Sequence, residues 1–142
     1  MSIKVKDEDN SKEFLRRLAD LASKELEVGI QGKEAEAYPV GKDGRRTARM
    51  VVIAGANEFG ANTGRNIIPE RPFIRGTFDK HEREFEDEMT RMFDSVIEGA
   101  HSARTGFDAM GQYMVGKVQT YMTELSDPPN APSTIEQKGS SN

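Results

Sequence analysis

Ala56-Asn-Glu-Phe-Gly-Ala-Asn-Thr-Gly-Arg-Asn-Ile-Ile-Pro-Glu-Arg-Pro-Phe-Ile-Arg-Gly-Thr-Phe78 is the stretch on which the reading of this chain turns. Phe59 and Gly60 close one element, and a polar, glycine-containing link follows. Ile67, Ile68, Pro69, Pro72, Phe73 and Ile74 then form an apolar strip stiffened by proline, with Glu70, Arg71 and Arg75 set into it. Neither proline fits a helix interior, because each lacks an N–H and its ring clashes with the preceding turn. Each also drives the residue before it, Ile68 and Arg71, toward extended geometry. The strip is therefore expected to be ordered and extended. It lies against the chain's own core or docks on a neighbouring subunit.

Downstream the pattern turns helical. Thr77 can cap a helix from Phe78 to about Glu98, with Asp79 in its first turn, where a negative charge suits the helix dipole. Phe78, Phe85, Met89, Met92, Phe93 and Val96 or Ile97 make its apolar stripe. Gly99 to Thr105 breaks the run. Thr105 or Ser102 can cap a further helix to about Leu125, with Phe107, Met110, Met114, Val118, Tyr121, Met122 and Leu125 inward. Gly111 and Gly116 weaken that helix and mark a close approach of another backbone. Five of the seven methionines fall in these two helices and read as adaptable core packing. Asp127-Pro128-Pro129 stops the second helix, and the Pro-, Ser- and Asn-rich remainder has one apolar residue, Ile135. Such a segment cannot build its own core.

Upstream, Met50 to Ile53 favours a strand by propensity. Yet Met50, Ile53, Ala54 and Asn57 share a helical face and Gly60 sits at a C-cap position, so Arg49 to Phe59 reads as a short helix. Gly32 to Arg46 is a polar loop or exposed hairpin turning at Asp43-Gly44. Leu26, Val28 and Ile30 alternate with Glu27, Gly29 and Gln31, the pattern of a half-buried strand. Phe14, Leu15, Leu18, Leu21 and Ala22 predict an amphipathic helix over 11–24, capped by Asn10 or Ser11. Residues 1–9 are charged, with Ile3 and Val5 alternating like a short strand. Together these elements predict an α+β domain over 1–126 and an extended C-terminal tail or arm over 127–142.

Composition narrows the function. The 142 residues suit one domain. Hydrophobic residues make up 35% and charged residues 31%, which describes a thin core or one completed by partners. The net charge of −4 argues against a nucleic-acid grip, which needs a clustered basic face. The absence of cysteine excludes disulfide and thiolate chemistry. No apolar run approaches the roughly 20 residues of a membrane span. His81 and His101 stand apart and make no metal site. The acids Glu82, Glu84, Glu86, Asp87 and Glu88 interleave with Arg83 and Arg91 like a solvated helix face rather than a catalytic pair. Gly60-Ala-Asn-Thr-Gly64 lacks the Gly-Lys-Ser/Thr of a phosphate loop. Lys42, Arg45, Arg46 and Arg49 form a solvated loop or touch phosphates or an acidic partner. The expectation is a protein without catalysis, cofactor or metal.

Leu-Glu-Val-Gly-Ile at 26–30, Ala56-Asn-Glu-Phe-Gly60, Ile68-Pro-Glu-Arg-Pro-Phe-Ile-Arg75, and Pro128-Pro-Asn-Ala-Pro-Ser-Thr-Ile135 with Lys138-Gly139 occur in that order. In this the chain, over about residues 26 to 139, resembles the neck and tail-completion proteins of long-tailed bacteriophages. Family members continue past the last box with a Leu-Ile-Asp-Thr-Gly-like segment, which the chain read to Asn142 does not contain. The resemblance implies a small, mainly antiparallel sheet packed against one or two long helices, with an extended loop, assembled as a ring at the head–tail junction. A hexamer is favoured. Partners would be other neck, connector and tail proteins, with DNA passing through the lumen without specific binding. The chain would sit in the virion neck, and in host cytoplasm during assembly.

On the same resemblance, Phe59 and the strip Ile67, Ile68, Pro69, Glu70, Arg71, Pro72, Phe73, Ile74 and Arg75 are candidate subunit or partner contacts. Arg71 and Arg75 would pair with carboxylates. Arg45 and Arg46 in the loop, and Ile135 in the tail, are candidate contacts of arms reaching other rings. The other reading is a non-catalytic adaptor that binds one partner through Ile67–Ile74 as a monomer or dimer.

Overall fold

Pro72 lacks the N–H that a helix interior needs, but at the start of a helix that N–H has no use. The carbonyl of Pro72 accepts from Gly76 N–H at 2.9 Å, and the longest helix of the protein begins with the next residue. The computed structural model describes residues 9–36, 44, 48–64, 67–129, 135–136 and 139. Its elements are α1 (Ser11–Ala22), α2 (Gly32–Ala35), α3 (Met50–Phe59), β1 (Ala61–Asn62), β2 (Ile67–Ile68), α4 (Phe73–Glu98) and α5 (Ala103–Glu124). The described residues are mostly helical. The sheet is antiparallel, as expected, pairing Ala61 with Ile68 and Asn62 with Ile67. With two residues per strand, about 7 Å of chain, it forms a pinned turn and offers no face for a long helix to pack on.

The chain divides into two compact units, with boundaries after Glu27, Glu82 and Tyr113, so that α4 and α5 each contribute to both. The first unit holds α1 with the later part of α4 and the earlier part of α5. Its core is Leu21, Met92, Val96 and Ala103, with Met89, Phe93, Ile97 and Phe107 packed on it. Phe93 and Phe107 lie 6.3 Å apart in a tilted pair, and Phe85 meets Tyr113 edge-on at 6.1 Å. Phe85, Met89, Met92, Phe93, Val96, Ile97 and Phe107 are positions that the three-and-four spacing assigns inward; Ala103 and Tyr113 are additions. α1 corrects the expectation. Leu21 is buried, but Phe14, Leu15 and Leu18 are exposed. Besides Leu21, a polar contact holds α1: Arg17, which also bonds Glu13 Oε1 within the helix at 3.1 Å, donates to Ile97 O at 2.8 Å.

Leu26, Val28 and Ile30 are half-buried and alternate with exposed neighbours, yet they form no strand. The alternation reports the two sides of the segment truly, but the ladder that makes a strand is missing. Leu26 instead lies over Gly111, where an added methyl would come within 3.2 Å of its Cδ1. Gly111 thus admits a side chain rather than a backbone, and Gly116 faces open space.

The second unit holds α2, α3, the β1–β2 turn, the first turns of α4 and the last turns of α5. Phe73, Thr77 and Met114 are buried here. Thr77 does not cap α4. It lies one turn inside the helix, and its Oγ1 donates to Phe73 O at 2.5 Å. Gly76 lets Tyr121 come close, since a Cβ at 76 would stand 2.5 Å from the phenol oxygen. Lys80 pairs with Glu124 at 2.9 Å. Met122, expected inward, is exposed. Readings that involve Ile3, Val5, Lys42, Asp43, Arg45 or Arg46 lie outside the described residues.

Candidate interaction surface

A helix leaves its first N–H groups without partners, and a side chain at the N-cap normally takes those of the second and third helical residues. Pro72, at that position in α4, has no acceptor to offer. Glu58 of α3 does the work from 16 residues away. Its Oε2 accepts from Ile74 N–H and its Oε1 from Arg75 N–H, both at 2.9 Å. The Arg75 guanidinium adds a bond to Oε1 at 3.1 Å and one to the main-chain oxygen of Glu58 at 2.7 Å. Glu58 is 4% exposed. Burial pushes its carboxyl up, but the N–H groups of Arg75 and Ile74, then the Arg75 guanidinium, outweigh burial and hold it below its usual value.

Arg75 continues outward. It pairs with Glu70 at 2.7 Å and lies 4.7 Å over the ring of Phe59. Arg71, expected to meet a carboxylate, donates to carbonyls instead: to Pro128 O at 2.9 Å and Pro129 O at 2.7 Å. Its main-chain N–H goes to Asn57 O at 2.6 Å. Its planar fork of donors here spans two adjacent carbonyls in place of a carboxylate.

The strip is thus not one extended segment. Residues 67–72 are extended or irregular, while Phe73, Ile74 and Arg75 form the first turn of α4. Phe73, 7% exposed, belongs to the chain's own packing. Ile68, Arg71, Pro72 and Ile74 are half-buried, and Pro69, Glu70 and Arg75 are exposed. Ile67 is 78% exposed and Phe59 67% exposed. On α3, Val52 and Phe59 are seven residues apart and share a face, with Gly55 between them, where an added Cβ would meet nothing within 4 Å. Val51 is exposed as well. α3 is apolar almost throughout, yet its one buried residue is its one charge. Ile135 is half-buried and accepts from Gly139 N–H at 2.8 Å.

Glu58 escaped the sequence reading because its bonding partners lie far along the chain. The usable signal was negative. A helix that starts behind a proline, with no Ser, Thr, Asp or Asn before it, needs an acceptor from elsewhere. Among the described residues, no group of three or more His, Cys, Asp or Glu could hold a metal ion. No helix among them is long and apolar enough to cross a membrane. Glu82, Glu84, Glu86 and Asp87 are exposed, and His81 is half-buried. No protein-family model, curated protein or solved structure matches the chain.

Proposed function

We propose that the protein is a structural subunit of a bacteriophage neck, of the tail-completion or tail-terminator type. It acts by closing into a ring, a hexamer by preference, that joins tail to head. The observation that carries this reading is the joining of the last three of the four boxes on which the resemblance rests. Asn57 and Glu58 of the first of these bond to Arg71, Ile74 and Arg75 of the second. Arg71 of the second bonds to Pro128 and Pro129, which open the third. These three motifs are therefore parts of one bonded cluster, which is what a shared fold would require. The exposed Val51, Val52, Phe59 and Ile67 suit a subunit whose neighbours finish its packing. Repeated head-to-tail contacts close such a ring. DNA would pass through the lumen without specific binding, and no catalysis is involved.

Light scattering across a concentration range, with immunogold labelling of virions, tests the proposal. A ring in solution, or a monomer found at the neck of particles, upholds it. A stable monomer or dimer absent from particles overturns it in favour of an adaptor. Phe59→Asp and Ile67→Asp should each weaken the assembly while leaving the subunit folded.

A further inference from the structure

Glu58 is the one buried carboxylate among the described residues, and it holds two elements together. Its backbone belongs to α3, and its side chain receives three bonds from the first turn of α4, at 2.9, 2.9 and 3.1 Å. All three partners are donors. A protonated carboxyl turns one of its oxygens into a donor as well, and that oxygen then faces an N–H. The charged groups around the carboxylate are Arg75 and, across Arg75, Glu70. Arg71, on the segment leading into α4, directs its guanidinium to the carbonyls of Pro128 and Pro129. At the other end of α4 the main chain closes the turn itself, and Arg17, bonded to Glu13, only adds a bond to Ile97 O. There Gly99, with φ of 86°, donates to Val96 O, and Ala100 donates to Ser95 O, both at 3.0 Å.

We infer that Glu58 is an acid-releasable latch: protonating it frees the first turn of α4 from α3 and leaves the C-terminal end of α4 in place. The bonds hold the carboxyl below the ordinary 4.5. The latch therefore contributes its full stability above that value and loses it as the pH falls through the lower, folded-state value. It does not depend on the chain being a virion protein.

Nuclear magnetic resonance on the full chain from pH 7 to pH 2 tests the latch. The side-chain carboxyl carbon of Glu58 reports protonation. Amide exchange of Ile74 and Arg75, corrected for intrinsic rates, reports the closed turn. The carboxyl should titrate below 4.5. Over the same interval protection at Ile74 and Arg75 should fall by at least about tenfold, while Gly99 and Ala100 change by less than about threefold. Glu58→Gln should abolish the pH dependence at the two amides; if that variant does not fold, the wild-type titration decides. The latch is overturned by protection that stays constant while the carboxyl titrates, or by a carboxyl that does not titrate in the folded protein. An equal fall in Glu58→Gln, or a parallel loss at Gly99 and Ala100, also overturns it.

Discussion

The two ends of α4 are stopped in opposite ways. At the C-terminal end the chain turns through Gly99, whose φ of 86° costs glycine little, and two main-chain bonds close a Schellman motif. Arg17 from α1 adds a guanidinium to the Ile97 carbonyl, where positive charge suits the helix dipole. At the N-terminal end the local chain supplies geometry through Pro72 but no acceptor, and a buried carboxylate from α3 completes the turn. One end is closed by nearby residues and trimmed by a distant one. The other is closed by the distant one. Removing the distant partner should therefore cost far more at the N-terminal end.

The severest test of that contrast is Phe73→Asp. It places a charge in the dry first turn beside the latch, where Phe73 is buried. The cost should be at least the ~3–5 kcal/mol of losing a buried phenylalanine. Chemical denaturation with amide spectra should show the second unit's signals collapse. A variant that melts like wild type would mean that the turn is not part of a core.

Next is Glu58→Ala. It leaves the Ile74 and Arg75 N–H groups without their acceptor inside the protein, a loss of about 2–3 kcal/mol by denaturant titration. Near-wild-type stability would mean that water or another side chain replaces the carboxylate, and the asymmetry between the ends would vanish.

What the sequence made legible follows the same division. Gly99, Ser102 and the α4 and α5 stripes are local signals, and apart from Met122, which is exposed, they stand where spacing puts them. Ser102 Oγ accepts from Thr105 N–H at 3.2 Å, which settles the choice between the two caps. Met50–Phe59 is helical, as the shared face and Gly60 suggest for this stretch. Several of the misses are non-local, though the first is not. Thr77 has the right side chain for a cap, but Pro72 starts the helix a turn earlier. Leu26 to Ile30 has the right alternation for a strand but no partner edge. Arg71 has a fork that fits carboxylates, yet the chain brings two proline carbonyls to it. At the candidate surface, Phe59 and Ile67 are exposed, while Phe73 is claimed by the chain's own core. Apolarity alone does not tell those two uses apart.

Gly99→Ala sharpens the other end. A residue with a Cβ at that φ costs roughly 1–2 kcal/mol. The new methyl would also stand 2.5 Å from the Arg17 guanidinium. Arg17 is flexible enough to swing away, at the cost of its bond to Ile97 O. The variant should thus lose thermal stability while α4 keeps its length by amide exchange. Fraying of the last turn without loss of stability would make Gly99 a stop signal only.

The smallest effect belongs to Arg17→Ala. The guanidinium is part-buried, donating to Ile97 O at 2.8 Å and to Glu13 at 3.1 Å. Its removal deletes a donor and leaves a carbonyl acceptor that solvent can reach, because Gly99 and Ala100 beyond it are exposed. The loss should be about 1 kcal/mol, the size of one hydrogen bond with water as the substitute. The Schellman bonds at Gly99 and Ala100 should survive with unchanged protection. Double substitution with Glu58→Ala then measures whether α4 transmits anything from one end to the other. The bonded groups lie in different units, so the two costs should add within about 0.5 kcal/mol. A larger coupling would mean that α4 passes strain along its length, and the two ends would no longer be independent closures of one helix.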